Sequence, residues 1–189
     1  PITYSAGRVF PSYLSVAGGE HGFSVFSPSK GWNLAGLKSA LVMAGSASLA
    51  DLRRLHEVHT HGSSHLGAIA HVAAMDDGRD WLAQLTTELD ANRALLRRLL
   101  SEHLPGVRWR SPDATYLAWL DCRELGLGDD PATTFRDRGR VALGSGPGYG
   151  RESGRGFVRL NLATSPNTVE DGQLLLLTGE GEGKGKGKK

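Results

Sequence analysis

The chain has 189 residues, 39% hydrophobic and 22% charged, a globular balance that suits one ordinary domain or two small ones. Its 22 basic and 20 acidic residues leave a net charge of +2, no electrostatic footprint for nucleic acid. The single cysteine, Cys122, excludes a disulfide framework and a Cys-based zinc site, and no apolar run is long enough for a membrane span, so a cytoplasmic protein in a reducing compartment is expected.

The opening "PITYSAGRVFPSYLSV" starts in mid-pattern, with turns at Ala6-Gly7 and Pro11-Ser12, as if continuing an upstream element. A fragment is expected. Gly22 to Phe26 reads as a short buried strand, Ser27-Pro28-Ser29 as a turn, and Leu37 to Ala44 as a second strand. Ser48-Leu49-Ala50-Asp51 resembles a capping box opening a helix with Leu49, Leu52 and Leu55 on one face. Ser63 or Ser64 opens another helix, which runs through Met75. Trp81, Leu85, Leu89, Asn92, Leu96 and Leu99 keep helical spacing until Pro105-Gly106, a helix of about 24 residues and roughly 36 Å. It could bridge two subdomains.

Beyond it the period changes to two. "TYLAWLDC" (115–122) alternates, and "FVRLNLA" (157–163) puts Val158, Leu160 and Leu162 on one face with Phe157, Arg159 and Asn161 on the other. Between them "GSGPGYGRESGRG" reads as a flexible surface connection; its glycines match neither a GxGxxG nor a Walker pattern. From Gly172 onward low complexity is expected to bury no core, and Thr178 to Lys189 to be disordered.

Lys30 stands at a strand's end, where a lysine gains nothing structurally. A solvated loop lysine is the common case. Here, however, hydroxyls lie at Ser27 and Ser29, a second cation at Lys38, and an apolar strand on each side. A lysine that attacks a carbonyl must be a neutral amine, so it needs a partly desolvated site near another cation; each pKa unit corresponds to about 1.36 kcal/mol. A phosphate needs hydroxyl donors and a fixed positive charge. Ser27, Lys30 and Lys38 supply both sets.

These residues carry a family resemblance. "SPSKGWNLAGLKSA" resembles the pyridoxal-phosphate lysine segment of fold-type I enzymes in the aminotransferase class I and II superfamily, and its Asn-Leu-Ala-Gly-Leu continuation resembles the carbon–sulfur beta-lyases, cystathionine beta-lyase-like. "LPGVRWRSPDATYLAWLDCRELGL" is similar to the start of that subfamily's small domain, and "GYGRESGRGFVRLNLATSP" to its carboxylate-binding arginine strand. The segments extend over most of residues 1–166, in the family's order.

The resemblance implies an α/β fold: the C-terminal part of a fold-type I enzyme, with the end of the large mixed-sheet domain at 1–77, a small α+β domain with its linking helix at 78–177, and a tail at 178–189. It implies pyridoxal 5'-phosphate as cofactor, an amino-acid substrate and a homodimer when full length. Lys30 matches the lysine that attaches the cofactor and shuttles the alpha proton, Ser27 and Lys38 match phosphate contacts, and Arg159 matches the arginine that holds the alpha-carboxylate. A planar guanidinium suits that carboxylate bidentately. The family's ring-nitrogen aspartate, stacking aromatic and upstream phosphate loop precede its lysine segment, and none can be placed here. A C-terminal half is therefore expected, with the usual C-terminal helix replaced by the Gly-Glu-Gly-Lys tail.

Other polar clusters read as structural. His56, His59, His61 and His65 are dense, but "HEVH" is one residue short of HExxH and no spaced carboxylate completes a metal site. Cys122 is expected to be a buried apolar residue. Arg93, Arg97 and Arg98 are expected on a solvated helix face. Two function classes remain: a cystathionine beta-lyase-like enzyme releasing pyruvate, ammonia and a thiol, with transamination as its alternative chemistry, and a non-catalytic remnant lacking the upstream half of the site.

Overall fold

The computed structural model describes residues 7–177, and the expected disorder of Thr178 to Lys189 lies outside them. The chain forms two compact units, Pro1–Thr87 and Glu88–Lys189.

In the first unit, strands β1 (Phe23–Phe26) and β2 (Leu41–Ala44) pair antiparallel, Phe23 opposite Ala44 and Phe26 opposite Leu41. The second strand is half the length the sequence suggests. Ala35–Leu37 closes a 3-10 turn and Lys38 adopts φ 54° and ψ 52°, a left-handed conformation that no strand continues through. Helix α1 (Leu49–Arg53) is a single short turn in which Ser48 makes no side-chain cap bond, so the expected capping box does not form and Leu55 lies past the helix end. Helix α2 (His65–Asp76) starts as its serine predicts, with Ser64 Oγ accepting from Gly67 N–H at 3.1 Å.

Much of this unit's apolar surface faces outward. Val25 of β1 is 71% exposed and Leu66 of α2 70%, with Phe23, Leu41, Ile69 and Val72 also exposed.

Helix α3 (Arg79–His103) is 25 residues long and ends before Pro105 as the spacing predicts. In the second unit its buried residues Leu96 and Leu100 pack on the antiparallel sheet β3-β5-β4, formed by β3 (Leu117–Asp121), β4 (Gly144–Ser145) and β5 (Phe157–Asn161). The period-two pattern holds. Ala118, Leu120, Val158 and Leu162 face a core completed by Val107, Cys122, Ala132 and Phe135, the last two on helix α4 (Pro131–Gly139). Each fully buried Leu or Val of this set contributes about 2 kcal/mol.

Three expectations are corrected here. The glycine-rich segment is packed: Gly146 and Gly154 are buried, a Cβ on either would overlap the other's carbonyl oxygen, and Gly156 accepts from Cys122 N–H and donates to Asp129 O, both at 2.8 Å. Those glycines are there for close backbone approach. Arg93 is no solvated residue but 3% exposed, paired with Asp90. Low complexity does not begin at Gly172 either, because helix α5 (Pro166–Leu177) runs through it, started by Ser165 Oγ accepting from Thr168 N–H at 3.2 Å and by Pro166 in the first turn. One interior glycine costs a helix only about 1 kcal/mol.

Candidate active site

Lys30 lies on the turn that leaves β1, exposed, on a backbone closed by Trp32 N–H donating to Pro28 O at 3.0 Å. Ser27 fixes the turn from inside. Its Oγ donates to Ser39 O at 2.7 Å, accepts from Ser29 N–H at 3.2 Å and lies 2.6 Å from Ser29 Oγ. Because the Ser27 hydroxyl has one proton and gives it to Ser39, Ser29 is the donor of that serine pair. The bond to Ser39 also ties the Lys30 turn to the residue after Lys38, so the backbone that carries Lys30 and the backbone that follows Lys38 form one hydrogen-bonded assembly.

Residues the sequence did not single out hold that assembly. Ser39 Oγ lies 3.1 Å from His71 Nδ1 on α2, and the His71 ring sits 5.6 Å from that of Phe26. Trp32 Nε1 donates to Gly78 O at 3.0 Å. A Cβ on Gly67 would overlap the carbonyl oxygen of Leu37, so the first turn of α2 packs directly on the backbone that leads into Lys38. None of these has a sequence motif; each depends on pairing across 30 or more residues.

Arg159 belongs to the other unit. It sits on β5 opposite Trp119 of β3 and Gly144 of β4, on the sheet face away from the core. Its guanidinium carbon lies 4.4 Å from the centroid of the Tyr149 ring, a cation–π contact. Trp119 meets Tyr149 edge-on at 5.8 Å and stacks on Phe157 at 5.6 Å. Arg159, Trp119 and Tyr149 with Arg110, Pro112, Thr115 and Leu117 line a cleft of about 400 Å³, within the range of small-ligand sites.

The remaining candidates separate by burial. Cys122 is 1% exposed, and burial first, then the Asp121 charge, pushes its thiol up to about 12, so it is held as a neutral core group. The hydrogen bond from Arg123 is the main cause that holds the Asp121 carboxyl below its ordinary range. Among the described residues no group of three or more His, Cys, Asp or Glu could hold a metal ion, and no helix is long and apolar enough to cross a membrane.

A lysine turn lined with hydroxyls and an arginine strand beside a ligand-sized cleft stand in an α/β chain whose residues 3–172 match the family model of aminotransferase class I and II; the chain belongs to that family. Its relatives include proteins named as cystathionine beta-lyases and as aminotransferases: 50% of 182 residues are identical to a Mycobacterium tuberculosis protein assigned as a cystathionine beta-lyase, over 87% of this chain and 44% of that protein. A cystathionine beta-lyase of Corynebacterium glutamicum is 31% identical over 91% of this chain and 46% of its own length. The crystal structure of a Corynebacterium diphtheriae protein described as a pyridoxal-phosphate-dependent beta-cystathionase superposes with a TM-score of 0.86 at 31% identity, covering 94% of this chain and 48% of that one. The chain thus has the α/β architecture of fold-type I enzymes and spans about half the length of the curated relatives it matches.

Proposed function

We propose that this chain is the C-terminal part of a pyridoxal-phosphate-dependent carbon–sulfur beta-lyase acting on cystathionine-like amino acids. On this reading residues 1–77 belong to the large cofactor-binding domain and 78–177 to the small domain. The observation that supports it is the Ser27 hydrogen-bond set, which ties the Lys30 turn to the backbone after Lys38; Lys30 is exposed among the described residues, so on this reading the rest of the full-length protein supplies the partly desolvated site its amine needs.

The donor set suits the cofactor. The Lys30 amine would bond its aldehyde carbon, while Lys38 and the Ser27 hydroxyl, turned from the Ser39 carbonyl, would hold its phosphate. Pyridoxal phosphate, when bound, supplies the electron sink for removal of the alpha proton. Lys30 Nζ takes that proton and returns it, and Arg159 grips the alpha-carboxylate through its fork. The net reaction consumes one water: cystathionine and water give homocysteine, pyruvate and ammonia. A transaminase would use the same residues but release no thiol. The exposed apolar faces of β1, β2 and α2 support a homodimer of the full-length protein, and the one-cysteine composition supports a cytoplasmic location. With about half of the relatives' length, the chain alone is expected to bind the cofactor weakly and to show no turnover.

The test is to co-express the chain with the N-terminal half of the Mycobacterium tuberculosis relative, add pyridoxal phosphate, reduce with borohydride and map the labelled peptide. Label on Lys30, lost in Lys30→Ala, and pyruvate release from cystathionine are expected. Label on another lysine would overturn the assignment of Lys30, and pyruvate release by the chain alone would overturn its incompleteness.

A further inference from the structure

We propose that Tyr149 is a positioning residue: its ring holds the Arg159 guanidinium in place while leaving the N–H fork free for the alpha-carboxylate of an amino acid. This rests on the reading that Arg159 grips that carboxylate. The Arg159 guanidinium carbon lies over the Tyr149 ring, 4.4 Å from its centroid; the other arginine–ring contacts among the described residues, Arg123 over Phe157 and Arg97 over Trp109, are longer, at 4.9 and 6.0 Å. Both Tyr149 and Arg159 line the cleft of about 400 Å³. Arg123 shows what a structural arginine of this unit does with its fork: Nε and Nη2 both donate to the Asp121 carboxylate, at 2.8 and 2.7 Å. Among the described residues no acid takes the Arg159 fork, and the Tyr149 ring is what meets it.

The sheet itself makes room for the ring. Arg159 sits on the middle strand, opposite Trp119 on one side and Gly144 on the other. Gly144 has no side chain for that second place, and the Tyr149 ring fills it: a Cβ there would lie 3.1 Å from Tyr149 Oη and 3.3 Å from Arg159 Cβ. The backbone that brings the ring back is fixed by Tyr149 N–H donating to Gly146 O at 2.9 Å and by the close approach of Gly146 and Gly154. Trp119 then meets the ring edge-on, at 5.8 Å and 82°. A free arginine side chain samples many rotamers, and the freedom it loses on binding weakens the ligand. An aspartate or glutamate would also restrain it, but would occupy the fork and cancel the charge the ligand needs. The face of a tyrosine ring attracts the cation and offers the fork no lone pair, so it restrains Arg159 without competing for its donors.

The test follows the Arg159 side chain by NMR in the 189-residue chain and titrates it with S-ethyl-L-cysteine, an amino acid with a single carboxylate. In the unaltered chain the ring current of Tyr149 is expected to hold the Arg159 δ-protons upfield of their position in Tyr149→Leu, and the resonances to move as the probe binds. Tyr149→Phe keeps the ring face and should keep both the upfield position and the affinity. Tyr149→Leu should weaken the probe about threefold, the size of an exposed cation–π contact, and Arg159→Gln about tenfold, the size of a lost charge-assisted bond. Tyr149 is 55% exposed, so Tyr149→Leu leaves the core packed and the amide exchange of β3 and β5 unchanged; faster exchange there would give the ring a structural role and overturn the proposal. Equal affinity in Tyr149→Leu and the unaltered chain, or Tyr149→Phe as weak as Tyr149→Leu, overturns the role of Tyr149 while leaving that of Arg159 standing. Affinity untouched by Arg159→Gln, or a probe that leaves the Arg159 resonances unmoved, overturns the alpha-carboxylate reading itself.

Discussion

Arg93 on helix α3 donates from Nη2 to the carbonyl of Thr115 at 2.6 Å, and Thr115 holds φ at 76°, a region a β-branched residue rarely enters. Such a conformation costs about 1 to 3 kcal/mol and persists only where the surroundings impose it. Here the imposition comes from a buried guanidinium, itself paired with Asp90, and the strained residue lines the Arg159 cleft. Arg93→Ala is therefore expected to destabilise the second unit by about 3 kcal/mol, the low end for breaking a buried pair, because Asp90 keeps some solvent contact. Native-state hydrogen exchange of the β3 and β5 amides measures it; protection equal to that of the unaltered chain would contradict the account.

Asn92, 2% exposed, donates from Nδ2 to Leu162 O at 2.9 Å and to Thr164 O at 2.8 Å, fastening the end of β5. Asn92→Ala leaves two carbonyls without this donor and is expected to cost about 2 kcal/mol. Asn92→Asp should cost more at neutral pH, since a carboxylate would face those carbonyls with no proton to give. Urea unfolding of the two variants at pH 7 compares them, and an aspartate variant as stable as the alanine one would refute the reasoning.

Cys122 is expected to resist thiol reagents. With its thiol pushed up to about 12 from an ordinary value of 9.0, the folded state disfavours the thiolate. The sign follows: a raised value stabilises the folded state below the unfolded thiol's pKa and loses that contribution as pH rises through the folded one. At pH 8 labelling should proceed only as fast as the unit opens, and at once in denaturant. Rapid stoichiometric labelling of the native chain would contradict the buried placement.

Gly67→Ala should destabilise the lysine unit even though alanine is the better helix former by about 1 kcal/mol. The new Cβ would overlap the Leu37 carbonyl, and the shift needed costs about 1 to 3 kcal/mol. Faster amide exchange in α2, with loss of the Ser39–His71 contact, is the expected result. A more stable variant would show that the backbone there yields easily.

In the complemented protein, Arg159→Ala is expected to lower kcat/KM for amino-acid substrates by about 2 to 4 kcal/mol, the size of a lost charge-assisted bidentate pair. Arg159→Lys should recover little, because a point charge does not reproduce the fork. Steady-state kinetics on cystathionine decides it, and an unchanged kcat/KM in the alanine variant would refute the role.

Patterns confined to neighbouring residues were legible in the sequence. The span of α3 follows from its apolar spacing and Pro105, the start of α2 from Ser64, and the two faces of β5 from strict alternation, since these depend on local sterics and the side-chain period. The family, and with it the cofactor class, was legible in "SPSKGWNLAGLKSA", a local motif as well. Contacts between distant segments were not. Arg93 shares its helix with Arg97 and Arg98, yet it is the one buried, with the distant Thr115 carbonyl accepting from its guanidinium. The glycines of 144–156 read as flexible because a sequence records a missing side chain but not the backbone that passes where the side chain would be. That Arg110 and Arg159, 49 positions apart, line one cleft has the same origin: the Arg108–Asp121 bridge lays the chain before β3 alongside it, and β3 pairs with β5 in a register that sets Trp119 opposite Arg159, a register decided by which faces the core can bury.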